Sequence, residues 1–322
     1  MGWWQVSADT LAGSRFVVSP LAEAVATLKT LERGTAAHPG ERAWLAAHLP
    51  AYRARQAADP ITAQLVRAVL GPTWNATFLT PTPTGEGEPG FEEELARVRE
   101  TPPEAARQDL TESLGGPVPA RLHRSDLPER LAGALEWVWR ETVLPSWARR
   151  RRIIEADVLS RTARLGHGGW AAALDGMRPG MRWLGDGRLQ INAYDHPPRE
   201  LSGARLMFVP VTPRQGWVSW DDASHRSAVV YPCSGPLAGA GGTPVPEALG
   251  RLLGPARASI LVLLASPKST TQLVALTGQG LGSVGRHLKV LLDARLVRRR
   301  RAGRSVLYYR SESGETLVES QA

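Results

Sequence analysis

Apolar residues recur three and four positions apart through the first half of the chain, the spacing that lines one face of a helix. Ser19-Pro20 opens the clearest case. Ser is a good N-cap, Pro fits the first helical turn, and Leu21, Val25, Leu28 and Leu31 follow in register. A shorter helix capped by Asp9 precedes it, after a strand over residues 3–7. Further helices are predicted over residues 41–57, 60–70, 91–100 and 103–114. A long one covers 127–165, interrupted near Pro145. Past Gly166 the pattern shortens. Residues 183–193 read as a hairpin around Gly185-Asp186-Gly187, and 206–211, 216–220 and 228–231 as short strands. The segment 236–246 is rich in Gly and Pro and suits a linker. Helical periodicity then returns over 247–253, 255–265, 270–276 and 281–294, and two strands, 296–301 and 305–310, flank Ala302-Gly303-Arg304. The expected fold class is α+β. A mainly helical N-terminal region with a small antiparallel β region (1–235) is joined by the linker to a C-terminal module, 247–322.

Charge sharpens that division. The 322 residues carry a formal net charge of +8, yet residues 243–322 hold 12 Lys and Arg against 5 Asp and Glu. Nearly all the excess therefore sits in the last quarter, where it suits contact with a polyanion. Tryptophan is distributed the other way: all 11 lie between Trp3 and Trp220. Arginine outnumbers lysine 36 to 3. That bias fits a GC-rich coding sequence, so the position of the charge carries the argument and its amount does not.

Helix, turn, helix and basic hairpin, in that order, describe a winged helix-turn-helix. In such a module one helix fills the major groove and the hairpin lies along the backbone. On helix 281–294, Val284, Leu288 and Leu291 face a core. Arg286 and Lys289 lie opposite, with Ser283 and His287 on a flank. The candidate DNA contacts are Thr270, Thr271 and Gln272 at the start of the first helix, Ser283, Arg286, His287 and Lys289 on the second, and Arg299, Arg301 and Arg304 on the wing. Arg286 is the expected base reader. The wing arginines are expected to hold phosphates, which carry little sequence information.

These residues also carry a family resemblance. Ser283-Val284-Gly285-Arg286-His287-Leu288-Lys289-Val290-Leu291, followed by Asp293-Ala294-Arg295-Leu296-Val297, resembles the recognition helix and first wing strand of ArsR/SmtB-type transcriptional regulators. The resemblance covers roughly residues 247–312 and implies a dimeric, repressor-type binder of double-stranded DNA. Two departures stand out. The family's metal sensors use cysteines on the first helix of the motif, or Asp and His on the last helix. Here the first position reads Ser269-Thr270-Thr271-Gln272-Leu273, and residues 311–322 hold no histidine. Gly282 and Gly285 also stand where the family usually has polar contact residues. Ser14-Arg15-Phe16, Ser19-Pro20-Leu21 and Gly168-Gly169-Trp170 resemble an uncharacterised domain that precedes ArsR-type modules in high-GC bacterial regulators.

Other chemistry is poorly represented. Gly280-Leu281-Gly282-Ser283-Val284-Gly285 matches a dinucleotide-binding pattern, but it follows a helix, and no acidic residue stands about 20 positions on. No nucleophile elbow, zincin motif or P-loop is present. Asp195-His196 and Asp221-Asp222 with His225 read as loop residues, and Arg149–Arg152 as a solvated helix face. Cys233 is the only cysteine, which precludes an intrachain disulfide. The longest aliphatic run, 260–265, falls far short of the roughly 20 residues of a membrane span. With no secretory signal visible, a cytoplasmic protein is expected. The reading is a non-enzymatic transcriptional regulator without cofactor or metal, acting as a homodimer. Its tryptophan-rich N-terminal region either accommodates a small-molecule effector or mediates assembly. The alternative is an architectural, largely nonspecific DNA-binding protein whose N-terminal domain drives assembly.

Overall fold

A computed structural model describes residues 2–36, 39–192, 198–201, 203–233, 245–265, 267–277, 279–302 and 305–320. Three layers build the N-terminal unit. The first is helical: α2(Pro20–Arg33), α3(Pro39–Ala58), α4(Pro60–Val69), α5(Phe91–Arg99), α6(Pro103–Leu114) and α7(Leu127–Val138), whereas α1(Ala8–Ala12) lies across the sheet, its Leu11 packed in the core of the third layer. Helix α2 is the axis of the helical layer. Ser19 caps it through Ala22 N at 3.0 Å, Gly34 ends it in the left-handed conformation, and nearly every residue between is buried. A helix buried all round belongs at the centre of its layer. The cap of α1 differs from expectation: Ser7 accepts from Thr10 N, and Asp9 lies inside the first turn. The interruption near Pro145 is a wide turn over Trp139–Val143 and a tight one over Leu144–Ser146, after which α8(Trp147–Leu174) begins.

The second layer is a four-stranded sheet of β2(Arg15–Phe16), β6(Arg205–Val211), β8(Arg226–Pro232) and β7(Trp217–Asp221), in that order. Here the expected antiparallel β region is corrected in part: this sheet is mixed. β2 and β8 both pair with β6 in parallel, and only β7 runs antiparallel, against β8. The physical reason lies in the burial of both faces. Met207, Val209, Val211, Ala228 and Val230 pack on the helices, whereas Leu206, Phe208, Val229 and Tyr231 pack on the third layer. A strand covered on both sides reads as a continuous apolar run, as parallel strands do. The third layer is a small sheet in the order β3(Arg182–Gly185), β4(Arg188–Gln190), β1(Trp3–Gln5) and β5(Arg199–Glu200). Its β3–β4 and β1–β4 pairs are antiparallel. Asp186 and Gly187 turn its β3–β4 hairpin with φ of 50° and 71°, as the Asp-Gly pair leads one to expect.

Buried ion pairs tie the layers together. Glu23 of α2 is fully buried. Its carboxylate accepts from Arg150 Nη1 (2.7 Å), Thr212 N (2.8 Å) and the Thr212 hydroxyl. Arg150 was expected on a solvated face; it is instead the residue that clamps α8 to α2 and to the end of β6. Its neighbour Arg151 pairs with Glu88 and Glu155. Further along α8, Arg161 and Asp157 form a second buried pair, and Tyr231 Oη donates to Asp157 at 2.9 Å. Cys233 lies beside them, and burial pushes its thiol well above the usual range.

The expected linker falls almost wholly on residues 234–244, outside those described. The C-terminal unit comprises α9(Glu247–Leu253), α10(Pro255–Leu263), β9(Lys268–Ser269), α11(Thr270–Thr277), α12(Leu281–Asp293), β10(Val297–Ala302), β11(Ser305–Arg310) and α13(Glu312–Glu319). Strand β9 was not foreseen; it pairs with β11 and makes the wing three-stranded at its base. The core combines Ile260, Leu261 and Leu264 with Leu273, Val284, Leu288, Leu291 and Val297. Leu276 of α11 packs against Ile153, Ile154, Ala156 and Cys233, so the module rests on α8.

Candidate nucleic-acid interface

Helix α12 owes its position to its apolar stripe, whose spacing of four and three turns the opposite face outward. Val284, Leu288 and Leu291 are buried; Arg286, Lys289, Val290 and Asp293 are exposed. Ser283 and His287 are half-buried on one flank, joined by a 3.3 Å contact between Ser283 Oγ and His287 Nε2, with Gln279 Oε1 3.2 Å from the same hydroxyl. The helix ends in Arg295 at φ 57°, with Leu296 N donating to Leu291 O and Arg295 N to Leu292 O. That pair of bonds is the Schellman stop, and it aims the chain directly into β10.

Strand β10 carries Arg298, Arg299, Arg300 and Arg301, all exposed. Successive side chains point to opposite faces of the hairpin, so charge is presented on both. Arg310, at the far end of β11, behaves differently. It is turned inward, bonding Leu261 O, Val262 O and Glu315. There it closes the C-terminal end of α10. Lys268 of β9 is buried beside it, and burial together with the Arg310 charge draws its ammonium down to about 8.

Of the expected contacts, Arg286 and Lys289 on α12 and Arg299 and Arg301 on the wing are exposed, and Ser283 and His287 are half-buried. Thr270 is half-buried at the start of α11. Arg304 and the side chain of Thr271 lie outside the described residues. Gln272 does not belong to the surface. It is 5% exposed, and its Oε1 accepts from Ser269 N at 2.6 Å while Ser269 Oγ accepts from Gln272 N. This is a capping box. The remaining amide donates to Ala156 O of α8 at 3.2 Å. The spacing Ser269-x-x-Gln272 was the signal for that role. Two exposed cations missing from the expected contacts, Arg298 and Arg300, share the wing surface.

Ion pairing separates these cations from many arginines of the N-terminal unit, although Arg33, Arg67 and Arg178 there also have no ion pair among the described residues. Arg99, Arg130, Arg150, Arg151, Arg161, Arg199, Arg205 and Arg226 each pair with a carboxylate. Among the described residues no ion pair engages Arg286, Lys289 or Arg298 through Arg301. Six such charges on α12 and the wing attract a polyanion by releasing its counterions.

Residues 254–299 match the family model described as bacterial regulatory protein, arsR family. The matched segment runs from α10 to the middle of β10, and so contains the helix pair and the first half of the first wing strand. An arsR-type helix-turn-helix points to a DNA-binding transcriptional regulator. No curated protein and no solved structure matches the chain. Among the described residues no helix is long and apolar enough to cross a membrane, and no group of three or more His, Cys, Asp or Glu is placed to hold a metal ion.

Proposed function

We propose that the protein is an arsR-like transcriptional regulator that reads double-stranded DNA as a homodimer in the cytoplasm, without a metal sensor. One observation carries the reading: six unpaired cations project from the recognition helix and wing of a module that matches this family. Arg286 is the base reader, by the bidentate geometry with which arginine recognises guanine. Ser283, His287 and Lys289 support it, and Arg298 to Arg301, with Arg304, hold phosphates. A dimer follows from the few base pairs one such helix spans. Leu252, 67% exposed on α9, is a candidate for the interface, with α13 beside it. The absence of cysteine from Ser269–Leu273 and of histidine after Ser311 argues against metal sensing. The N-terminal unit is the sensing or assembly domain, of the kind that precedes arsR-type modules in high-GC bacterial regulators, and we assign it no catalytic role.

A specific feature favours a second reading, architectural and largely nonspecific binding. Gly282 and Gly285 put no side chain into the open space at the start of α12, where base contacts would be made. Selection of bound duplexes from a random pool decides between the two. Enrichment of one half-site, repeated about a two-fold axis, is the outcome of specific reading. Even recovery of all sequences is the outcome of architectural binding.

A further inference from the structure

A cavity of about 650 Å³ opens in the N-terminal unit, where α2, the loop after α4 and the edge strand β7 meet. That is the size range of small-molecule sites. Its walls are aromatic: Trp74, Trp217 and Trp220 line it. Trp220 is held in place by Trp74, edge-on at 5.5 Å, and by the Arg199 guanidinium over its ring at 4.5 Å. Backbone packs closely at the mouth. A side chain on Gly71 would fall 1.9 Å from the Ser113 carbonyl oxygen, so the loop Gly71–Trp74 is fixed against α6.

The charge of this cavity is one-sided. Lys29 and Arg178 both line it, with Arg33 and Arg67 nearer its rim. Lys29 Nζ donates to Asn75 Oδ1 at 3.0 Å and lies 5.3 Å from the Trp217 ring; neither partner is an anion. Burial, with repulsion from Arg33 and Arg178, draws its ammonium down to about 8. Among the described residues Arg178 has no carboxylate partner, and its Nη1 is buried without a hydrogen-bond acceptor. Of the acids in the lining, Glu32 is already engaged by Tyr52 and Gln56, and Glu112 is exposed. A buried cation without a counter-ion is costly unless something supplies one.

We propose that this cavity binds a small organic oxyanion with a planar apolar body, its head group held by Lys29 and Arg178 and its body against Trp217 and Trp220. A carboxylate and a phosphate share the required chemistry, because guanidinium and ammonium donors fit both. The site also has a path to the rest of the molecule. Arg178 follows α8 by four residues, with Met177 N bonded to Leu174 O. Gly169 breaks α8 (φ 65°) between this end and the segment whose Ile153 and Ala156 pack against α11. Arg161 Nη1 bridges the break by donating to Ala173 O at 2.8 Å, and through that bond we infer that occupancy of the cavity bears on the seat of the helix-turn-helix. This effector role rests on the regulatory reading above, whereas binding itself does not.

The test uses the full chain and its own tryptophan fluorescence, with 1-naphthoate, naphthyl phosphate, inorganic phosphate and uncharged 1-naphthamide as probes. Saturable quenching by the carboxylate or the phosphate ester below about 1 mM is expected, with no saturation by the amide. The better of the two anions identifies the head group. Lys29→Met and Arg178→Met are each expected to weaken it about tenfold or more, and Lys29→Arg to retain it. The acid–amide comparison on the unmutated chain holds even if a variant misfolds. Equal binding of acid and amide, failure of every anion to saturate, or unchanged binding in both folded methionine variants overturns the site. A parallel DNA titration with and without the bound anion reads the effector role. Binding that leaves DNA affinity unchanged overturns that role alone, and failure to bind DNA at all counts against the regulatory reading and leaves the cavity standing.

Discussion

Removing the Glu23 carboxylate tests how the helical layer is joined to the sheet. Glu23 is fully buried and accepts from Arg150 and from both the amide and the hydroxyl of Thr212. Arg150 is itself only 12% exposed, and its other partners, Thr27, Thr142, Thr212 and Ser146, are neutral. Glu23→Ala therefore leaves a guanidinium buried without its counter-charge and the Thr212 amide without its acceptor. Breaking one side of a buried pair costs about 3–5 kcal/mol; the orphaned amide lies within that figure rather than on top of it, since both losses come from one carboxylate. Replacing both partners, as Glu23→Leu with Arg150→Met, is expected to recover most of the loss, because no uncompensated charge then remains. Urea denaturation followed by tryptophan fluorescence is the assay. All 11 tryptophans precede residue 221, so the signal reports the N-terminal unit without the winged helix. A cost for Glu23→Ala below about 1 kcal/mol, the scale of an ordinary point mutant, or a double variant less stable than the single one, would refute the reasoning.

Other expectations are more local. Gly314→Ala puts a methyl 2.0 Å from the Leu296 carbonyl oxygen and should destabilise the winged helix by about 1–3 kcal/mol, read as a lowered midpoint of its far-UV transition; a wild-type midpoint contradicts it. Glu94, pushed up to about 7 by burial, has a folded pKa above its unfolded one. It therefore contributes fully below about pH 4.5 and progressively less as pH rises through 7. Glu94→Gln keeps an acceptor for Ser19 Oγ and Leu21 N, and should raise stability at pH 8 by on the order of 3 kcal/mol and little at pH 4.5; equal effects at both contradict the assignment. Arg299→Ala should weaken binding to all duplexes alike and lower the slope of log affinity against log salt by about one unit. A loss confined to one sequence would make Arg299 a base reader.

The sequence and the structure agree at several local signals. Ser19-Pro20 starts α2, Asp186-Gly187 turns the β3–β4 hairpin, and the stripe Val284, Leu288, Leu291 orients α12, whereas the cap of α1 falls on Ser7 instead of Asp9. Most of what sequence reasoning missed depends on residues far apart in the chain. The runs 206–211 and 228–231 carry no alternation to tell which neighbour they pair with, and burial on both faces decides for parallel pairing. Gln272 sits at a position that faces DNA in an isolated helix-turn-helix. Docking on α8 covers it, and only Ser269 three residues earlier hints at the cap. Arg150 stands in a run of four arginines that looks solvated, and its partner Glu23 is more than a hundred residues away. The cavity is the extreme case, since Lys29, Trp74, Arg178 and Trp217 meet only in three dimensions.

The central claim, that α12 reads bases while the wing holds the backbone, is tested most directly by titrating Arg286→Ala against a selected duplex and its scrambled counterpart at several salt concentrations. The account predicts a loss of about 1–3 kcal/mol on the selected duplex and a smaller one on the scrambled duplex. Equal losses on both would contradict it, removing α12 as the reader and leaving nonspecific, architectural binding as the function of the module.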